Sequence, residues 1–251
     1  MRVCADVYRR CRMPDAPSGA LPDATGFIEP QPDLITRNPG GAADPLGESV
    51  LDKTQPWLRI FEPQDIRIVI GRHQDVTREC QIAACQADGI PIHRRVAGGG
   101  TVVLAPGMVV VCARLRHTQV GTSCYFGMMN DALIPGVAAV ADQAPQCRGY
   151  GDLTVAGNTT AGADGVRLKI LGASLRQTSH MVVYMGVMLV TDAVPLMERY
   201  LAFPSREPDY RSGRGHRAFC TSLDQHGVTI PALITALTAS CEQRLAEQAL
   251  R

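Results

Sequence analysis

Two apolar runs, Val102–Ala113 and Met181–Val190, constrain this chain more than any other feature. Each is shorter than the roughly 20 residues a membrane-crossing helix needs, and Pro106-Gly107 interrupts the first. Valine-rich runs of this length, bounded by turn residues, suit strands buried in a soluble core. The first run splits into a hairpin, Thr101–Leu104 and Met108–Arg114, with Pro-Gly central in a type II turn. Leu58–Phe61 and Ile66–Ile70 form two more strands, joined by the turn Glu62-Pro63-Gln64-Asp65, and Ile90–His93 adds another. A second hairpin joins Asp152–Val155 to Val166–Ala173. Strict alternation places Val166, Leu168 and Ile170 on one face of its second strand, and Arg167, Lys169 and Leu171 on the other.

Helices fill the gaps. Asp75 caps one that runs to about Ala87, where Gly89 stops it. Tyr125–Asp142 is helical in composition, with a break expected at Pro135-Gly136. The last starts near Pro231 and carries the stripe Leu233, Leu237, Cys241 and Leu245. No regular strand–helix–strand alternation appears, so the class is α+β. Residues 1–45, rich in Pro, Gly, Asp and Ala, form an irregular lead-in, and residues 46–251 form the globular domain.

A net charge of +1 provides no global field for nucleic acid or an anionic membrane, so neither is an expected partner. The nine cysteines show no CxxC or Cys/His ladder, and no metal site is expected. Met1–Arg12 lacks the apolar core of a signal peptide, which points to reduced thiols and a cytoplasmic location. Cys80, Cys112, Cys124, Cys220 and Cys241 fall in apolar settings and suit buried structural thiols. Of the 25 Lys and Arg residues only Lys53 and Lys169 are lysines, which draws attention to Lys169 inside an apolar strand. Such a lysine either reaches out from a strand edge or points into a site.

Arg94-Arg95-Val96-Ala97-Gly98-Gly99-Gly100-Thr101 is the second candidate. Three glycines let backbone approach a ligand, and two arginines beside them suit a carboxylate or phosphate; a flexible connector with solvated arginines is the plainer alternative. Neither GxGxxG nor GxxxxGK[ST] occurs, which disfavours ordinary dinucleotide or P-loop binding. His216, in Arg214-Gly215-His216, suits an exposed loop better than a phosphate contact.

Taken in order, four segments resemble the signatures of lipoate–protein ligases and octanoyltransferases. They are Ile70-Gly71-Arg72-His73-Gln74, the Arg94–Val102 run, Gly151-Asp152-Leu153, and Lys169-Ile170-Leu171-Gly172-Ala173-Ser174. The resemblance spans about residues 50–223, including Arg199–Leu201 and Pro204–Arg211. It implies the fold shared with biotin ligases, a mixed, largely antiparallel sheet flanked by helices. It also implies site roles. Arg94, Arg95, Gly98, Gly99 and Gly100 would hold the carboxyl end of the acyl chain, and Arg72, Asp152 and Gly172 would line the same pocket. Lys169 would be the essential lysine beside the acyl carbonyl. In the ligases ATP, with Mg2+, activates lipoic or octanoic acid as an adenylate before transfer to a lysine of a lipoyl-domain acceptor.

Cys147 keeps a second chemistry open. It lies in Gln146-Cys147-Arg148-Gly149-Tyr150-Gly151, in a loop similar to one where some octanoyltransferases and amidotransferases carry an acyl-thioester cysteine. Such an enzyme would take octanoyl from a carrier protein and need no ATP or other cofactor. A third reading is a non-catalytic acyl-binding homologue. It is motivated by Met185-Gly186-Val187, where relatives usually show His-Gly-Thr, and by the lack of room for a C-terminal accessory domain, which a separate polypeptide could supply. The segment Ala156–Gly165 resembles an insertion, and the N-terminal helix is reduced to about Pro45–Asp52.

Overall fold

Alternation along the strands sorts the buried side chains into three cores. The computed structural model describes residues 35–36, 44–118, 120–157 and 166–250. In chain order the strands are β1 (Ile35–Thr36), β2 (Leu58–Phe61), β3 (Arg67–Ile70), β4 (Ile92–Arg94), β5 (Val102–Leu104), β6 (Met108–Arg116), β7 (Gln146–Arg148), β8 (Asp152–Ala156), β9 (Arg167–Gln177) and β10 (Met181–Leu189). The helices are α1 (Val76–Glu79), α2 (Ile82–Ala87), α3 (Thr122–Ala138), α4 (Val194–Tyr200), α5 (His216–Phe219) and α6 (Ile230–Leu245). An antiparallel sheet has the order β2-β6-β10-β9-β8-β7. A smaller sheet, β1-β4-β3-β5, is parallel except for the β3–β5 pair.

Strand β6 shows how the layers form. Val109, Val111, Ala113 and Leu115 pack with Leu133 of α3 and Leu237 of α6. Between them, Val110 and Cys112 point the other way and meet Val69 of β3 and Leu104 of β5. On β3, Ile68 and Ile70 turn away from that shared core towards Cys85 of α2 and Tyr200 of α4. The order is therefore helices, large sheet, small sheet, helices. The class is α+β, with the parallel pairs confined to the smaller sheet.

Of the two expected hairpins, that of β8 and β9 forms, and that of β5 and β6 does not. Ala105–Met108 does make the turn, with Gly107 at φ +88° and the Met108 amide donating to the Ala105 carbonyl at 3.3 Å. Its flanking strands nevertheless enter different sheets: β5 pairs with β3 and β6 pairs with β2 and β10. Likewise β2 and β3 part after Phe61. Turn residues specify a reversal of direction but not the partner that follows it.

The helices differ too. The predicted 75–87 helix is two pieces, because Cys80 bridges Leu201 and the Gln81 amide donates to the Tyr200 carbonyl at 2.8 Å. Pro135 does not end α3, whose Gly136 lies against Leu237 of α6; a Cβ there would come within 3.0 Å. The stripe on α6 is buried as expected, and the reduced N-terminal helix is a 3-10 turn, Glu48–Leu51. Of the lead-in, residues 1–34 and 37–43 lie outside the described residues, as do residues 158–165 of the insertion-like segment.

Candidate active site

Strand register decides where Lys169 points. β8 and β9 pair Leu153 with Leu171 but Thr154 with Lys169, so Ile170 is an extra residue on β9. Such a bulge reverses the alternation beyond it. Ile170 and Leu171 both enter the core beneath α3 and α6, while Lys169 lies with Gly172 and Ser174 along the cavity between the sheets. The pairing of Lys169 with Leu171 on one face, expected from strict alternation, is corrected by this bulge. Pairing of β9 with β10 reaches no further than Leu171 and Met188. Cys220 bridges to Lys169 instead, and the Thr221 amide donates to the Lys169 carbonyl at 3.0 Å.

The Lys169 ammonium forms an ion pair with Asp152 Oδ1 at 2.8 Å, and the Tyr210 hydroxyl donates to Asp152 Oδ2 at 2.7 Å. Burial, then the Asp152 charge, pushes the Tyr210 phenol well above its ordinary range, so it remains a donor. Gly172 makes room for the lysine: a Cβ there would lie 2.8 Å from both Lys169 Cε and Nζ.

Asp152, Lys169 and Gly172 line a cavity of about 300 Å3. Val69, Val102, Leu104, Val110, Met185 and Val187 supply apolar wall, and Arg95, Gly100, Asp152 and Lys169 supply polar wall. A smaller chamber of about 120 Å3 shares Thr101, Val102, Lys169, Gly172, Arg211 and Phe219 with it. Glu79, Met197, His216 and Cys220 line only this second chamber.

The glycine run is held by the arginines beside it. Arg95 is 7% exposed and donates to the carbonyls of Gly98 (2.6 Å), Gly100 (2.6 Å) and Val69 (3.3 Å). Burial lowers its pKa to about 10, which still leaves a cation at neutral pH. Arg94 donates to the carbonyls of Gly71, Arg72 and Gln74 at 2.9–3.1 Å, fixing the adjacent turn. Glu48 accepts from the Val96 amide at 2.8 Å. Where the two loops meet, Gly71 and Gly99 are close: a Cβ at 71 would lie 2.0 Å from the Gly99 carbonyl oxygen, and Gly99 has φ +87°.

The candidate residues thus divide. Lys169, Asp152, Gly172, Arg95 and Gly100 line the main cavity, whereas Arg72, Arg94, Gly98 and Gly99 build the loops behind it. Cys147 is elsewhere. It pairs with Leu153 across β7 and β8, which sets it on the α3 side of the sheet, and Asn130 of α3 donates to its sulfur at 3.1 Å. His216 begins α5 against the second chamber, and burial, then Arg211, lowers its pKa. Cys220 is half-buried in that wall, its thiol pushed up by burial and pulled down by Lys169 and Arg211.

Arg211 and Tyr210 were not among the expected site residues, and Thr101 was expected only as the last residue of the glycine run, with no role of its own. The segment from Pro204 to Phe219 brings Arg211 over the Phe219 and Phe203 rings, 4.8 and 4.9 Å from their centroids. Its sequence signal was the Pro204–Arg211 stretch itself, which carried resemblance but no role. No group of three or more His, Cys, Asp or Glu suited to a metal ion occurs among the described residues.

Residues 44–242 match the family model described as the lipoyl protein ligase A/B catalytic domain. No curated protein sequence is a match. Among solved structures, a bi-partite lipoate protein ligase from Thermoplasma acidophilum, described together with its E2 lipoyl domain, aligns with a TM-score of 0.66 at 18% identity, over 79% of this chain and 76% of that one. A lipoate-protein ligase A bound with ATP aligns at 0.65 and 18% identity, over 85% and 83%. Ta0514, a putative lipoate protein ligase from T. acidophilum with bound lipoic acid, aligns at 0.60 and 19% identity, over 75% and 72%.

Proposed function

The chain belongs to the lipoyl protein ligase A/B catalytic domain family, and we propose that it is an ATP-dependent lipoate or octanoate ligase acting on a protein lysine. The observation that carries this reading is the apolar cavity lined also by the Lys169–Asp152 pair and the Arg95-held glycine run. An octanoyl tail in that cavity buries about seven apolar carbons, worth roughly 5 kcal/mol at the usual value per methylene. Its carboxylate then lies at the polar wall.

In the first step a carboxylate oxygen attacks the α-phosphorus of ATP; the new C–O–P linkage forms as the bond to pyrophosphate breaks. In the second, the acceptor lysine's amine attacks the acyl carbonyl, the amide bond forms, and AMP leaves. The first transition state gathers negative charge on the phosphoryl and departing pyrophosphate oxygens, and the second on the acyl carbonyl oxygen, both beside the acyl carboxyl group. The Lys169 ammonium, held by Asp152, supplies fixed positive charge there. Backbone about Gly100 and Thr101 borders the same space. Mg2+ would arrive with the triphosphate and neutralise its charge, because it keeps waters and phosphate oxygens as ligands and needs no protein cage.

The Thermoplasma enzyme is bi-partite. By analogy we include a separate accessory polypeptide among the partners, beside a lipoyl-domain acceptor. The test is incubation with octanoate or lipoate, ATP and Mg2+, with and without a candidate accessory polypeptide. Acyl-adenylate detected by mass spectrometry supports the ligase; its absence in every arm rejects it.

A further inference from the structure

The cations around the two chambers have unequal commitments. Arg95 gives its donors to the carbonyls of Val69, Gly98 and Gly100, and Lys169 is paired with Asp152. Arg206 is solvent-exposed. Arg211 differs: it is 5% exposed, lines both chambers, and its buried Nη2 meets no hydrogen-bond acceptor. Its Nε donates to the Arg214 carbonyl at 2.8 Å, with Glu207 Oε2 at 3.6 Å. A second orphan lies in the same shared wall. The Thr101 hydroxyl is buried and also without a partner.

Buried polar groups are normally satisfied, and leaving a charged donor unpaired costs more than leaving a neutral one. Two such atoms in one shared wall therefore point to a ligand that supplies acceptors to both. An oxyanion does so, and it meets a guanidinium with short, charge-assisted hydrogen bonds. A carboxylate side chain, Glu79, lines only the smaller chamber and accepts from the Ser205 hydroxyl. That disfavours an anion beside Glu79 and leaves the wall the chambers share, where the nearby Asp152 carboxylate is already paired with Lys169.

We propose that Arg211 Nη2 and the Thr101 hydroxyl form an oxyanion site for a phosphate-bearing ligand at the junction of the two chambers. The proposal rests on the ligase reading for the identity of that ligand, a nucleoside triphosphate or the pyrophosphate it releases. The site itself is defined by the two unmet groups.

The test is calorimetric titration of the full chain with inorganic pyrophosphate and, separately, with octanoate. Wild type, Arg211→Gln, Arg211→Lys and Thr101→Val are compared. Arg211→Gln is expected to weaken pyrophosphate by roughly 10- to 100-fold, as for a lost hydrogen bond to a charged group, and to leave octanoate within about twofold. Arg211→Lys should recover part of the loss, and Thr101→Val should weaken pyrophosphate by several-fold. Wild type that fails to bind pyrophosphate, or Arg211→Gln and Thr101→Val that both bind it as wild type does, overturns the proposal. So does equal loss of both ligands in Arg211→Lys, because that marks a structural role. The ligase reading fails by a different result, absence of acyl-adenylate from the wild type, so the two failures are separable.

Discussion

Gly172→Ala adds one methyl group to the wall beside the ammonium. The new Cβ would lie 2.8 Å from Lys169 Cε and Nζ, whereas carbon atoms pack at about 3.5–4 Å. Lys169 is the flexible partner, so its end moves by about 1 Å and draws away from Asp152. A displacement of that size at a reacting centre costs on the order of 100-fold in rate. Stability should move the other way or not at all, since Gly inside a strand is roughly 0.5–1 kcal/mol worse than Ala. The assay is acyl-adenylate formation and transfer by mass spectrometry, with melting followed in parallel. Turnover within about threefold of wild type, with an unchanged melting temperature, refutes the claim that Lys169 position governs the chemistry.

Other consequences can be checked as directly. Because Cys147 lies on the α3 side of the sheet, Cys147→Ser is expected to keep at least half the transfer activity, with no acyl adduct at residue 147; loss of activity together with an adduct in the wild type would favour thioester chemistry. Met185→Ala enlarges the apolar cavity, so the preferred acyl chain should lengthen by about one or two carbons in a competition among C6–C12 acids, at a stability cost of about 2–5 kcal/mol. An unchanged profile would remove Met185 as a determinant of length. Burial, then Arg67, depresses the His93 pKa below its ordinary 6.5; Arg67 Nη1 lies 3.3 Å from Nε2, and Thr36 Oγ1 lies 2.7 Å from Nδ1. The unfolded chain therefore binds this proton first, and the stability associated with neutral His93 is present above pH 6.5 and lost as pH falls towards the folded-state pKa. His93→Gln should flatten denaturant-measured stability across that window, and an unaltered slope would show that another group sets it.

Much of the site could be read in the residues, for a physical reason in each case. Lys169 stood out because a lone lysine in an apolar strand needs an explanation, and the glycine run because three adjacent glycines fit few roles. What was hidden was register. The bulge at Ile170 leaves no mark in the composition of β9, yet it decides that Leu171 is core and Lys169 is not. Partner choice was hidden as well. Ala105–Met108 is a recognisable turn, but nothing local says that β5 and β6 will join separate sheets. Arg211 was illegible because its surroundings exist only once residues 204–219 fold across β9.

That turn has a further consequence for access. Leu104 and Val110, on facing walls of the cavity, are joined through a connection only five residues long. The two walls are bound like the boards of a book along one spine, with Val190 and Thr191 donating to the Gly107 carbonyl at 3.2 and 2.8 Å to stitch the binding shut. A spine cannot serve as a doorway. Pro204, Pro208 and the exposed Arg206 also line the cavity, on a segment that this turn does not hold. On the proposed ligase reading, entry past that segment would take an acyl tail in before its head and leave the carboxyl facing the side from which an acceptor's lysine arrives.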